Sequence, residues 1–196
     1  MGRPPRFSAE AILDAALDVL PDGGLDALTI GRIAGRLGAP TGSIYHRFPS
    51  KSVLIAHLWL RTVLRFQEGF LDALDHPDVD EAVGRVVRHM LTWSRECPGE
   101  GRLVAEHWNR QGDEDWPEEL AVRMSTVDGR VAAALADHCE RRYGAATPDR
   151  LYAARFALMH LPYAAVHVHL LEGTPQPPVL EHITTEASLH ALAAAG

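Results

Sequence analysis

The residues from Thr29 to Leu54, TIGRIAGRLGAPTGSIYHRFPSKSVL, leave the chain few conformations. Ile30, Ile33, Ala34 and Leu37 are apolar at helical spacing. Gly38 follows them and can close a helix in the left-handed conformation, because it has no Cβ. Pro40 can open the next helix, where a missing N–H costs nothing. That helix, about Thr41 to Phe48, is very short, and Pro49-Ser50 breaks it before a third helix begins at Lys51 with Ser50 as its N-cap. Two helices joined by a glycine-containing turn form the helix-turn-helix unit, whose second helix enters the DNA major groove.

Within this stretch Ile33-Ala34, Gly38, Gly42-Ser43-Ile44-Tyr45, Phe48, Ser50-Lys51 and Leu54 fall in register with a known pattern. The segment resembles the DNA-binding signature of the tetracycline-repressor (TetR) family of bacterial transcription regulators. The resemblance covers about a quarter of the chain; the rest is similar to the family in length and helical character. One departure stands out. The family has Ser at the N-cap of the recognition helix where this chain has Pro40, which leaves Thr41 to supply a hydroxyl.

Side-chain chemistry divides the recognition helix. Ile44 and Phe48, four apart, are expected to face the core, leaving Thr41, Ser43, Tyr45 and His46 to point outward. Hydroxyls bond phosphates or base edges, and Gly42 permits close backbone approach. The resemblance implies that Tyr45 meets the DNA backbone; the alternative is a half-buried packing residue. It also implies a phosphate at Lys51, and a helix N-terminus beside an ammonium attracts an anion on physical grounds as well. Thr29, as the cap of the first motif helix, and Arg32 on its flank complete the candidate face. Arg3 and Arg6 flank Pro4-Pro5 in an extended basic arm that either reaches the DNA or is a frayed terminus.

The net charge of −7 over 196 residues at first argues against nucleic acid. Its distribution reverses the argument. Residues 1–51 hold six basic and five acidic side chains, a net of +1, and the remainder holds thirteen against twenty-one, a net of −8. The early acids lie mainly on the first helix, Ser8 to Leu20, while Arg32, Arg36, Arg47 and Lys51 flank the motif. This is either a local basic face or ordinary charge scatter. No apolar run is long enough to span a bilayer, and MGRPPRF lacks a signal-peptide core. Cys97 and Cys139 stand far apart, so a reduced, cytoplasmic chain that contacts no membrane is expected.

No stretch alternates as a strand would, and the expected class is all-α. A three-helix helix-turn-helix domain, residues 1–52, precedes a larger helical ligand-binding and dimerisation domain, residues 53–196. The most informative helix beyond the motif is Pro148–Leu171. At 3.6 residues per turn Tyr152, Phe156, Met159, His160, Tyr163 and His167 share one face, and Leu151, Ala154, Leu158, Leu161, Ala165 and Val168 the other. The small aliphatic side suits close packing in a dimer, and the aromatic side suits a cavity wall. Pro162 is expected to bend the helix between them. The resemblance points the same way: the family's last two long helices build the dimer's four-helix interface, and preceding helices surround a ligand. The candidate interface is therefore Ala154, Leu158, Leu161, Ala165 and Val168, with Ile183, Ala187 and His190 from the last helix. The candidate pocket is Tyr152, Phe156, Met159, His160 and Tyr163, joined by Phe66, Met90, Trp93, His107, Trp108 and Met124. A plain aromatic core is the competing reading.

Eleven histidines invite a metal site, but no H-E-x-x-H or Cys-x-x-Cys spacing occurs, and no metal or cofactor is expected. The leading expectation is a homodimeric repressor on a palindromic double-stranded operator, released by a small apolar or aromatic inducer. The alternatives are a DNA-binding regulator with no small-molecule ligand and an α-helical enzyme using His107 with Glu106 or His160. No nucleophile-and-base motif supports the enzyme, and no catalytic residue is assigned.

Overall fold

The computed structural model describes residues 7–108 and 117–196, and every described regular element is a helix. The helices are α1 (Ala9–Leu17), α2 (Gly24–Ala27), α3 (Ile30–Leu37), α4 (Thr41–Tyr45), α5 (Lys51–Leu74), α6 (Val79–Glu96), α7 (Pro98–Trp108), α8 (Glu118–Tyr143), α9 (Pro148–Arg155), α10 (Leu161–Glu172) and α11 (Leu180–Ala193). Local sequence sets many of their ends. The Ser8, Thr29, Ser50 and Thr147 hydroxyls accept the N–H groups of Ala11, Arg32, Val53 and Arg150. Asp78 accepts those of Asp80 and Glu81. Such caps satisfy N–H groups that the helix itself cannot pair. Gly38 closes α3 at φ +64°, as its missing Cβ permits. The first helix stops at Leu17, short of the expected Leu20, and Pro21 sits within a separate 3₁₀ turn, Leu20–Asp22.

The chain packs as two compact units, and neither is continuous in sequence. Met1–Val63 packs with Pro98–Arg123, and Leu64–Cys97 packs with Met124–Gly196. These packing units do not follow the single division expected at residue 52.

In the first unit Ile12, Ala16, Leu20, Leu28, Ile33, Ile44 and Leu54 are fully buried, and Phe48 is nearly so. Arg61 on α5 sends Nη1 to Glu10 at 2.9 Å and to Asp14 at 2.8 Å, so one guanidinium ties α5 to two turns of α1. In the second unit Phe70, Ala73 and Leu74 of α5 form a core with Val83 and Val86 of α6, Val131, Leu135 and Cys139 of α8, and Ala154, Ala157, Leu158 and Leu192. A smaller cluster joins Val87, Met90 and Leu91 to Val166 and Leu180.

The expected single helix from Pro148 to Leu171 is three pieces: α9, one π-helical turn over Phe156–His160, and α10. Pro162 lies in the first turn of α10, and the distortion falls just before it. A proline removes an N–H and crowds the preceding turn, and a wider π turn accommodates both.

At Tyr152, Ala154, Phe156, Leu158 and His160 burial inverts the expected faces, whereas Met159 and Tyr163 are half-buried against the cores and Val168 is exposed. Ala154 and Leu158 are fully buried in the core of their own unit, so they are not surface residues of an interface. Tyr152 is 71% exposed and Phe156 39% exposed, with His160 exposed beside them, so these three do not line an interior cavity. Small side chains let α9 and the π turn approach their neighbours closely, whereas the bulky Tyr152 and Phe156 are left outside. Both faces are apolar, and periodicity alone does not decide which one turns inward.

Candidate functional site

In the first unit α4 ends at Tyr45, short of the expected Phe48, and is held by Ile44, which is fully buried, and by Phe48 in the turn beyond it, 2% exposed. Thr41, Gly42, Tyr45 and His46 lie exposed, with Tyr45 at 52%, and Ser43 and Lys51 are half-buried. Tyr45 is thus an outward residue rather than a packing one. A Cβ added to Gly42 would meet nothing of its own chain within 4 Å, so internal packing does not require glycine there. Pro40 is the N-cap of α4 and makes no side-chain cap bond. Thr41 is the first helical residue, one position too late to cap, and its hydroxyl remains on the exposed surface.

The expected basic flank is partly neutralised. Arg32 Nη2 pairs with Asp22 at 3.3 Å, and Arg36 Nε pairs with Asp18 at 3.1 Å. Both pairs are exposed, and such pairs contribute about 0–1 kcal/mol each, so an arriving phosphate competes on nearly equal terms. Arg47 and His46 are exposed beyond them. Thr29 is exposed and uses its hydroxyl on the Arg32 N–H at 3.3 Å.

Lys51 is anchored from within. Its Nζ donates to the Leu25 carbonyl at 3.2 Å, and the Leu25 N–H donates to Glu106 Oε2 at 2.7 Å. Glu106 Oε1 accepts from Arg102 Nε at 2.6 Å. Sequence reasoning missed Glu106 in this role, because 81 residues separate it from Leu25 and no spacing rule relates them. The same contacts occupy the carboxylate that an enzyme reading would pair with His107.

Arg3 and Arg6, and the side chains of His107 and Trp108, lie outside the described residues. Of the other pocket candidates, the second unit brings four together. Met90 belongs to the cluster against which Phe66 and Tyr163 pack, and Trp93 meets Phe66 edge-on with ring centroids 5.0 Å apart. Met159 packs on the adjoining core, which Phe66 also touches, and Met124 is half-buried on α8. Burial raises the Tyr163 pKa above its ordinary value, as it does for any phenol removed from water. Two open clefts of this unit, about 400 and 650 Å³, are lined by other residues, among them Asp72, Asp75, Asp137 and Arg141 in the first and Asp78, Glu81, Arg88 and Glu181 in the second.

Of the interface candidates, Val168, Ile183, Ala187 and His190 are exposed, and Leu161 and Ala165 are half-buried. Leu171 and Val179 add to the exposed apolar surface at 39% and 53%. Among the described residues no group of three or more His, Cys, Asp or Glu could hold a metal ion, and no helix is long and apolar enough to cross a membrane.

Comparison with known proteins agrees with this architecture. Residues 12–58 match the family described as bacterial regulatory proteins, tetR family. An uncharacterised HTH-type transcriptional regulator, YdeS of Bacillus subtilis (strain 168), is 32% identical over 126 residues, covering 63% of this chain and 60% of that protein. The crystal structure of a transcriptional regulator from Rhodococcus sp. Rha1 superposes with a TM-score of 0.73 at 20% identity, over 95% of this chain and 97% of that one. The regulator FadR from Bacillus subtilis, solved in complex with stearoyl-CoA, gives 0.68 at 17% identity over 96% and 100%. At these identities the structural likeness shows the fold.

Proposed function

We propose that this chain, whose residues 12–58 match the tetR family of bacterial regulatory proteins, is a member of that family and acts as a homodimeric, ligand-responsive transcriptional repressor. The observation that carries DNA binding is the division of α4 and the turn that follows it: Ile44 and Phe48 are buried, while Thr41, Gly42, Tyr45 and His46 are exposed. A helix anchored on one side and presenting hydroxyl, phenol and imidazole on the other suits the major groove. In this reading residues 1–52 make the DNA contacts, with Thr29, Arg32 and Ser43 at the edges and Lys51 on a phosphate. Residues 53–196 carry the ligand and dimer functions, although Pro98–Arg123 packs with the first unit.

The proposed dimer surface is the exposed apolar side of the last helices. Phe156, His160, Val168 and Leu171 contribute from the chain between Phe156 and Glu172, and Ile183, Ala187 and His190 from α11. A two-fold axis through this surface presents two copies of α4 and calls for a palindromic operator. The ligand reading rests on Phe66, Met90, Trp93 and Tyr163, an apolar and aromatic set with one phenol. The acyl-CoA bound by the FadR structure makes a long-chain acyl thioester a reasonable first probe.

Selection of duplexes from a random library by the purified protein tests the first part. Recovery of a palindromic consensus, bound in a salt-dependent manner, is expected; recovery of no duplex above background would overturn the reading. Titration with stearoyl-CoA while following tryptophan fluorescence and operator release tests the ligand arm. The family is one of regulators, and catalytic turnover is not part of this function.

A further inference from the structure

We propose that Glu106, which does not lie on the candidate DNA face, positions the phosphate-binding ammonium of Lys51 through the backbone of Leu25. The inference rests on the DNA reading above and extends it to a residue of α7.

Three contacts within the first unit form a continuous link. Arg102 Nε donates to Glu106 Oε1 at 2.6 Å, the Leu25 N–H donates to Glu106 Oε2 at 2.7 Å, and Lys51 Nζ donates to the Leu25 carbonyl at 3.2 Å. Each has a local reason. α2 has only four residues, and its N-cap, Gly23, supplies no side chain to take the orphan N–H groups of the first turn. The Glu106 carboxylate takes one of them with a charge-assisted bond, the stronger class of hydrogen bond. Gly24 makes room for it: its φ is +65°, and a Cβ there would collide with both carboxylate oxygens. Arg102, one helical turn before Glu106, orients the carboxylate from the other side. α7 is seated on the same unit at its start, where a Cβ at Gly99 would lie 3.2 Å from the Leu17 carbonyl oxygen.

Leu25 is therefore fixed at both ends of its backbone. Lys51 is the first residue of α5 and carries four flexible side-chain bonds. Without a partner its ammonium samples many positions. The Leu25 carbonyl selects one and uses a single ammonium hydrogen, leaving two for a phosphate. Glu106 holds the carbonyl in place by holding the residue that bears it, so it is a positioning residue.

The test uses the full chain and a labelled duplex recovered from a random library, with affinity measured across a salt series. A phosphate contact contributes about 0.9 to the slope of log affinity against log salt. Lys51→Ala is expected to lower that slope by about this amount. Glu106→Ala is expected to weaken binding severalfold with the same loss of slope, and the double variant to bind like Lys51→Ala alone. Glu106→Gln keeps an acceptor for the Leu25 N–H and should retain the wild-type slope. Glu106→Asp is one methylene too short and should not. If Glu106→Ala fails to fold by circular dichroism, the Asp and Gln variants carry the comparison. Glu106 and Lys51 effects that simply add, or Glu106→Ala and Glu106→Asp variants that both keep the wild-type slope, would overturn the proposal with DNA binding left standing. A Lys51→Ala variant with unchanged slope would overturn it by removing the phosphate contact. Failure of the wild type to bind any duplex would overturn the DNA reading itself and this inference with it.

Discussion

The Ser188 hydroxyl on α11 donates to the Ala157 carbonyl at 2.7 Å, and both residues are fully buried. The π turn explains the pairing. The Leu161 N–H bonds back to the Phe156 carbonyl, one residue beyond its α-helical partner, and Pro162 has no N–H to offer the next carbonyl in line. Ala157 is thus left without a partner inside its own helix, and a hydroxyl from the neighbouring helix supplies one. Ser188→Ala is expected to destabilise the protein by roughly 1–3 kcal/mol, the cost of an unsatisfied buried carbonyl. Urea unfolding of the variant, with helical circular dichroism checked in the native baseline, measures it.

The DNA face makes a prediction about information rather than affinity. Thr41→Ala and Ser43→Ala should change the preferred base at one or two positions of the selected consensus, while Tyr45→Ala weakens binding with little change in preference. Binding-site selection with each variant separates the two effects. An unaltered consensus for both hydroxyl variants would remove Thr41 and Ser43 from base reading.

The inverted faces of the late helices give opposite outcomes for similar substitutions. Phe156→Glu and Ile183→Glu place charges on exposed apolar surface and should yield folded monomers by sedimentation. Leu158→Glu buries an unpaired charge in the core of its unit, which costs several kcal/mol, and should lose helical structure instead. Folded dimers in both exposed-face variants would show that the interface lies elsewhere.

Acid should destabilise the fold through His138. The ring is fully buried on α8, and neither nitrogen has a hydrogen-bond partner. Desolvation, helped by the Arg141 and Arg142 charges and opposed by Asp137 and Asp80, lowers its pKa to about 4. The folded value lies below the unfolded value of about 6.5, so the unfolded chain binds the extra proton between them. Stability is fully present above pH 6.5 and falls as the pH drops toward 4, by up to about 3 kcal/mol from this residue. Burial lowers the pKa of His89 in the same direction. Urea unfolding at pH 7, 6 and 5 should show the decline, and His138→Leu should flatten most of it.

Much of this was legible because it is local. Ser8, Thr29 and Ser50 cap their helices through bonds that span three residues, and Ile44 and Phe48 are buried at the spacing that predicts it. What the sequence concealed depends on distance or on symmetry of character. Glu106 meets Leu25 across 81 residues, and Asp18 and Asp22 meet Arg36 and Arg32 only after the turn at Leu20–Asp22 brings the helices together. Pro162 predicts a bend, but the extra residue per turn that absorbs it has no marker of its own. Between Tyr152 and Val168 both helical faces are apolar, and hydrophobicity does not rank an alanine side against an aromatic one.

The split make-up of the first unit bears on how such proteins are recombined. Met1–Val63 does not complete its own packing; Pro98–Arg123 belongs to it and returns after an intervening stretch. A chimaera that transplants only the leading segment onto another body leaves the Leu25 N–H facing whatever residue the host places opposite it. Hosts with an acid at the position of Glu106 would accept the graft, and others would need a second crossover to bring α7 along. Exchange of binding specificity by simple head-swapping is therefore constrained by a helix that lies outside the head.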